Sequence, residues 1–118
     1  MKALIVDDSS TMRRIEAAQL AALGYTEIIE AANGQEGLDK LHENMPVDVV
    51  LLDVNMPVMD GMTLLKRIRR EPQYGGVRII MVTSESEKGR VLEALRAGAT
   101  DYVVKPFAPE LFKEKLTA

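Results

Sequence analysis

Five polar side chains occur where short apolar runs of this 118-residue chain end. They are Asp7 and Asp8, Asp53, Thr83 and Lys105. If the apolar runs are parallel strands of one sheet, these side chains emerge along one edge, because open α/β sheets bind ligands outside the carboxyl ends of their strands. Three carboxylates, a hydroxyl and an ammonium would then share one small pocket. These are the groups that receiving a phosphoryl group requires.

The adjacent carboxylates of Asp7 and Asp8, with Asp53 nearby, would repel one another unless a cation lay between them. Mg²⁺ binds in proteins through one or two carboxylates, several waters and the phosphate oxygens of a substrate. We therefore expect a Mg²⁺ site that includes Asp7, Asp8 and Asp53. The alternative is that one of the pair caps the first helix, a position that aspartate favours. A cap explains one aspartate but not two.

Asp53 is the expected nucleophile, because carboxylates form aspartyl-phosphate intermediates. The alternative is a turn residue, but Asp60-Gly61 already supplies that turn. Lys105 offers a point charge for phosphate oxygens, although most lysines are solvated surface residues. Thr83 can donate its hydroxyl to the same oxygens, although threonine is also common at strand ends.

Composition excludes several other classes of protein. Apolar residues make up 47% of the chain, enough for the core of one domain over residues 1–118. The chain has no cysteine, which excludes thiol chemistry and a disulfide framework. A net charge of -3 gives no general attraction to nucleic acid or to anionic lipid, and no apolar run approaches the roughly 20 residues that span a bilayer. We expect a cytoplasmic monomer that binds neither nucleic acid nor membrane.

Apolar runs alternate five times with segments of helical period, which predicts a parallel sheet in an α/β fold. The expected architecture is a single (βα)5 domain, a doubly wound five-stranded sheet with the flavodoxin-like order 2-1-3-4-5. Glu27 and Glu30 place the second strand at an edge of the sheet. The expected strands cover residues 2–6, 26–31, 47–52, 77–82 and a fifth ending at 105. The expected helices cover residues 10–23, a segment opening at 33, 60–70, 84–98 and a last segment from 109.

Two of these helices have capping signals. Asn33 and Glu36 form a capping-box pattern at the start of the second helix. Ser84 and Glu87 are expected to cap the fourth helix, which Gly98 ends. That helix is expected to bury an apolar stripe of Val91, Leu92, Leu95 and Ala99.

The motifs together resemble the receiver domain of two-component response regulators, over essentially all of the chain. The resemblance rests on Asp7-Asp8, on Asp53 in the sequence Asp-Val-Asn-Met-Pro-Val-Met-Asp-Gly, on Thr83-Ser84 and on Lys105-Pro106-Phe107. Within that family the chain is most similar to the stand-alone chemotaxis regulators. In one departure, Val54 stands where the best-known chemotaxis regulators have tryptophan.

The resemblance implies a role for each site residue. Asp53 would accept phosphate from a histidine kinase, and Lys105 would pair with the phosphoryl group. Asp8, Asp53 and the backbone carbonyl of Asn55 would bind Mg²⁺, with Asp7 acting through water. Self-phosphorylation from small donors and autodephosphorylation are expected, but not turnover as an enzyme.

The resemblance also implies a switch and an output. Thr83 would move toward the phosphate while the ring of Tyr102 turns inward, and the peptide between Lys105 and Pro106 would be cis. Asn55 and Glu85 match residues of fast-decaying chemotaxis regulators, so a short phosphate lifetime is expected. The output would be docking to a target protein, with the flagellar motor switch as the first candidate.

Other functions would fit parts of the same pattern. One alternative is a Mg²⁺-dependent phosphohydrolase with an aspartyl-phosphate intermediate, although Asn55 stands where such enzymes carry an aspartate as general acid. A second is a flavodoxin-like cofactor carrier with Ser9-Ser10-Thr11 cradling a phosphate, which Asp7-Asp8 would repel. A third is a phosphorelay intermediate outside chemotaxis, and a fourth is a receiver fold that is never phosphorylated.

Overall fold

The structure, a computed structural model, describes residues 1–56, 58–105 and 107–117, and of Glu85 the backbone only. Within these residues five strands alternate with five helices, as the sequence predicts. The strands are β1 (Lys2–Val6), β2 (Glu27–Ala31), β3 (Val49–Asp53), β4 (Arg78–Ser84) and β5 (Asp101–Lys105). The helices are α1 (Ser10–Ala22), α2 (Gly34–Asn44), α3 (Gly61–Arg69), α4 (Val91–Arg96) and α5 (Pro109–Thr117).

The strands form one parallel sheet in the order β2-β1-β3-β4-β5. This confirms the predicted fold, including the edge position of the second strand. All five residues of β3 are buried, as expected for a strand that helices cover on both faces. No helix among the described residues is both long enough and apolar enough to cross a membrane.

The two faces of the sheet pack against different helices. On one face Leu4 and Val6 of β1 share a core with apolar residues of α2, α3 and α4. On the other face Ala3 and Ile5 share a core with Leu20 of α1 and with apolar residues of α5. Side chains alternate between faces along each strand, so each position in a strand determines which helices it meets.

Side-chain caps define where three of the helices begin. Ser9 caps α1 by accepting the Met12 N–H at 3.2 Å. Asn33 caps α2 by accepting the Glu36 N–H at 2.8 Å, as the sequence predicts, and Asp60 caps α3 in the same way. The capping residue of α1 is therefore Ser9, which leaves both aspartates before it for another role.

The prediction for the fourth helix was wrong in three respects. The segment Glu85–Arg90 is a 3₁₀ helix, and α4 proper is only six residues long. Ser84 makes no side-chain capping bond; its hydroxyl lies 2.9 Å from that of Ser86. The predicted stripe is not buried as a unit, because Ala94 is the buried residue of α4 while Leu92 and Leu95 are 56% and 40% exposed.

Strands β3 and β4 extend beyond their predicted ends at residues 52 and 82. Asp53 still pairs with Val82, and Thr83 with Val104, because the neighbouring parallel strands continue to these positions. A cis peptide bond joins Met45 and Pro46. The cis bond expected before Pro106 involves a residue outside those that the structure describes.

Candidate functional site

Three carboxylates converge at the carboxyl edge of the sheet, as the sequence predicts. Asp7 follows β1 directly and Asp53 is the last residue of β3. One oxygen from each of Asp7, Asp8 and Asp53 lies within 4.8 Å of the other two. We call these three residues the aspartate cluster. Asp7 and Asp53 are buried, whereas Asp8 is exposed.

Lys105, the last residue of β5, brings an ammonium to this cluster. Its Nζ lies 3.4 Å from Oδ2 of Asp7 and 3.6 Å from Oδ1 of Asp53. Asp7 is fixed from two further directions. Its Oδ1 accepts the backbone N–H of Ser9 at 2.8 Å, and its carbonyl accepts from Nη1 of Arg13 at 2.7 Å.

The electrostatics of the cluster favour a cation. Burial, followed by the charge of Asp7, raises the pKa of Asp53 to about 6, while Lys105 and the backbone N–H of Asn55 oppose the shift. Burial lowers the pKa of Lys105, but the charges of Asp53 and Asp7 outweigh burial and the net shift is upward. A single ammonium therefore leaves the negative charge of the cluster only partly compensated. The all-oxygen donor set fits a hard divalent ion such as Mg²⁺.

The loop after β3 is tightly packed against the start of α3. A Cβ placed on Gly61 would clash with the backbone oxygen of Asp53 and would lie 2.9 Å from Cα of Val54. The Gly61 N–H donates to the Val54 carbonyl at 3.0 Å. Glycine at this position is thus what lets the helix approach the backbone of Asp53 so closely.

The exposed part of the same loop carries two residues of interest. Asn55 is exposed, and its backbone N–H donates to Oδ1 of Asp53 at 3.3 Å. Val58 has a φ of 69° and an 85% exposed side chain. A β-branched residue in the left-handed region is an unfavourable conformation. The loop that follows Asp53 therefore carries backbone strain at Val58.

Thr83 and Tyr102 lie on the opposite face of the sheet from the charged residues. Thr83 is completely buried, and its hydroxyl donates to the Ser84 carbonyl at 3.3 Å. By strand alternation Thr83 shares a face with Met81, which belongs to the core beneath α2, α3 and α4. Tyr102 is half-buried and packs against the same core.

The charged groups lie on the other face of the sheet, which packs against α1 and α5. Asp53 follows Leu51 by two positions and Lys105 follows Val103 by two, and both apolar residues belong to the core beneath α1 and α5. Asp7 continues the same alternation after Ile5. The ionic groups and the Thr83–Tyr102 pair therefore approach one sheet edge from opposite faces.

Two residues of potential importance escaped the sequence analysis. Glu16 of α1 is 1% exposed, and Lys115 of α5 lies over the Tyr102 ring. Glu16 occurs one turn after Met12 and one turn before Leu20, so its position on the apolar stripe of α1 could have signalled it. No pattern in the sequence pairs Lys115 with Tyr102. The side chain of Glu85, one of the predicted site residues, lies outside the part of the chain that the structure describes.

Comparison with known proteins agrees with the fold. Residues 3–117 match the family of response regulator receiver domains. The chain is 50% identical to a chemotaxis protein CheY homolog of Campylobacter jejuni, over 98% of this chain and 89% of that protein. It is 47% identical to chemotaxis protein CheY1 of Helicobacter pylori, over 98% and 94%.

Among solved structures, Vibrio cholerae chemotaxis protein CheY4 superposes with a TM-score of 0.88 at 40% identity, covering 98% of this chain and 95% of that one. The likeness thus extends over nearly the full length of both chains. The arrangement of the aspartate cluster with Lys105, the sheet order and these relatives lead to one conclusion. The chain belongs to the response regulator receiver family.

Proposed function

We propose that this protein is a phosphorylation-switched signalling module in which Asp53 accepts a phosphoryl group from a histidine kinase. The observation that carries the proposal is the setting of Asp53. It is a buried carboxylate at a strand end, 3.6 Å from the Lys105 ammonium and within 4.8 Å of two further carboxylates. Burial and the charge of Asp7 raise the pKa of Asp53, and a cation held by the cluster would relieve this and admit the negative charge of a phosphoryl group.

Phosphoryl transfer depends on positioning and on charge neutralisation more than on covalent help from the protein. Asp8, Asp53 and the carbonyl of Asn55 would hold Mg²⁺, with Asp7 binding through water. The ion would neutralise charge on the phosphoryl oxygens. An oxygen of Asp53 attacks phosphorus while the bond to the donor nitrogen breaks. Lys105 pairs with an oxygen of the transferred group.

The switch would follow from this local change of charge. A phosphoryl group adds negative charge and acceptor oxygens, toward which the buried Thr83 hydroxyl turns, giving up its 3.3 Å contact with the Ser84 carbonyl. The space it leaves allows Tyr102 to turn inward. Because β4 leads directly into the 3₁₀ segment and α4, the change reaches a surface where Leu92 and Leu95 are already exposed.

The relatives are named as chemotaxis proteins, and we place the output of this chain in chemotaxis. The target would be a protein that docks on the activated form, with the flagellar motor switch as the first candidate. The self-catalysed loss of phosphate from Asp53 would end the signal.

Labelling with a small phosphodonor tests the proposal. With Mg²⁺ and acetyl phosphate, intact mass should show one added phosphoryl group in the wild type and none in Asp53→Asn. Asp39→Asn, which changes an exposed aspartate of α2, is the control and should be labelled like the wild type. Equal labelling of Asp53→Asn would exclude Asp53 as the acceptor.

A further inference from the structure

Glu16 is a buried carboxyl that the proposed mechanism does not use. It is 1% exposed on the inner face of α1, where the next buried residue is the core residue Leu20. Among the described residues, its Oε1 has no hydrogen-bond partner. Leaving a buried polar atom without a hydrogen-bond partner destabilises the folded protein. A residue kept at such a cost invites a functional explanation.

Glu16 lies beside the aspartate cluster without being part of it. Helix α1 packs on the face of the sheet that also carries Asp7, Asp53 and Lys105. Burial, with the charges of Asp7 and Asp53, raises the pKa of Glu16 to about 8, although the charge of Lys105 opposes the shift. The carboxyl is therefore within electrostatic range of all three groups, although within the described part of the chain the acidic groups that converge within 4.8 Å are Asp7, Asp8 and Asp53.

The Lys105 ammonium makes long contacts with its present partners and has open space beside it. Its contacts of 3.4 and 3.6 Å with Asp7 and Asp53 are longer than the roughly 2.7–2.9 Å of strong charged hydrogen bonds. It borders an open pocket of about 340 Å³ whose lining includes Met12 and Gln19. These two residues stand four before and three after Glu16, on the same side of α1. The free space next to Lys105 thus borders the stretch of α1 that contains Glu16, which is itself buried and not part of the lining.

We propose that Glu16 is a positioning residue, which receives the Lys105 ammonium when a divalent cation takes the oxygens of the aspartate cluster. This inference rests on the Mg²⁺ site of the proposed function. A divalent cation competes with the ammonium for the oxygens of Asp7 and Asp53. Besides Asp7 and Asp53, Glu16 is a carboxyl group within electrostatic range of Lys105 among the described residues. It keeps Lys105 at the site, ready for the incoming phosphoryl group.

The proposed exchange of Lys105 partners is coupled to the loss of a proton from Glu16. In the metal-free site at neutral pH Glu16 holds its proton, since its pKa is about 8. A cation in the cluster offsets the charges of Asp7 and Asp53, and an ammonium that moves closer favours the carboxylate. Glu16 then loses its proton to solvent and pairs with Lys105. Mg²⁺ binding should therefore release up to about one proton per ion.

Calorimetry without any phosphodonor measures this release. Mg²⁺ is titrated into the full chain near pH 7.5 in two buffers with different heats of ionisation, such as PIPES and Tris. In the wild type the observed heats should differ between the buffers. In Glu16→Gln, which keeps the shape but cannot ionise, they should agree. Asp53, with a pKa of about 6, is ionised at this pH and contributes little.

Gln19→Leu is the matched control. Gln19 also has a buried Oε1 without a partner among the described residues and borders the same pocket, but it carries no charge. It should release protons like the wild type. Glu16→Met, an apolar residue of similar length, should behave like Glu16→Gln, which separates the effect of charge from any effect of packing.

The environment of Lys105 provides an independent measurement. The ¹⁵N resonance of its Nζ, assigned with Lys105→Arg, should shift on Mg²⁺ binding, and the shifted position should differ between the wild type and Glu16→Gln. Equal proton release by both proteins, or an unchanged Lys105 resonance in both, would overturn the proposal. If Mg²⁺ bound to none of these proteins, the proposed function would fail as well, whereas Mg²⁺ binding without Glu16-dependent release would overturn this inference alone.

Discussion

The ammonium of Lys115 lies over the ring of Tyr102, 4.9 Å from the ring centre. The same ammonium is 2.9 Å from Oδ1 of Asp101, an oxygen that also accepts the Tyr102 backbone N–H at 2.8 Å. Helix α5 thus holds the proposed switch residue through its ring and through its backbone. A cation–π contact of this kind contributes roughly 0.5–1 kcal/mol at an exposed site, enough to bias a ring between two positions.

Removing the Lys115 charge should therefore favour the inward position of Tyr102. In Lys115→Met the ring loses its cation while the helix keeps a long side chain. We expect the aromatic NMR resonances of Tyr102 to move part of the way toward their positions in the phosphorylated protein, before any phosphodonor is added. Lys113→Met, at an exposed position of the same helix, is the control. Unchanged Tyr102 resonances in Lys115→Met would show that this lysine does not hold the ring.

Replacing Asp53 by asparagine should stabilise the metal-free protein. The folded-state pKa of Asp53 is about 6 against an ordinary value of 3.8. The unfolded chain therefore loses this proton first, and the resulting destabilisation is absent below about pH 4 and complete above about pH 6. The difference in free energy of unfolding between Asp53→Asn and wild type should grow by about 1–3 kcal/mol across that window. Urea unfolding without Mg²⁺ measures it, and a difference independent of pH would contradict the shift.

Substitution of Gly61 should damage both stability and phosphorylation. A Cβ at this position meets backbone atoms of Asp53 and Val54, which cannot move aside as a flexible side chain can. We expect Gly61→Ala to lose about 2–4 kcal/mol of unfolding free energy and to accept phosphate more slowly.

Gly76→Ala is the control for that experiment, because a Cβ on Gly76 has nothing within 4 Å. Thermal melts and the rate of labelling by acetyl phosphate compare the two variants. If both variants behaved alike, the close approach of α3 to Asp53 would not matter.

The lifetime of the phosphorylated state should depend on Asn55 and Glu85. Asn55 is exposed beside Asp53, with its backbone bonded to the Asp53 carboxylate, so a bulky side chain there obstructs water in line with the phosphoryl group. Asn55→Lys and Glu85→Arg should slow the loss of phosphate after donor removal without preventing phosphorylation. Decay rates equal to that of the wild type in both variants would place control of hydrolysis elsewhere.

The positions of the charged residues could be predicted from the sequence because each prediction depends only on the residues next to it in the chain. Each site residue directly ends or follows an apolar run, and parallel strands bring such positions to one edge whatever the details of packing. The fourth helix was mispredicted because the spacing of Leu92 and Leu95 reports helical periodicity but not the number of neighbours available to cover them. The core there is filled by Ala94 and Ala99, with Leu92 and Leu95 left partly in solvent.

Glu16 and Lys115 could not be assigned from the sequence for a different reason. Their significance lies in groups far along the chain, Lys105 for one and Tyr102 for the other. The apolar stripe of α1 can indicate that Glu16 faces the core, but the spacing of residues within one helix does not tell which groups from the strands lie next to it. Only the packing of α1 and α5 on the sheet reveals these pairings.

The alternation that places Lys105 on one face of the sheet and Tyr102 on the other constrains how such a chain can evolve. Insertion or deletion of one residue within β5 would exchange the faces of every position beyond it, separating the ammonium from Asp53 or the tyrosine from Thr83. The exposed Gly75 and Gly76, by contrast, precede β4 in a turn, where added residues leave the sheet register intact. Descendants of this sequence can therefore vary in turn length and surface chemistry while the lengths of β4 and β5 stay fixed.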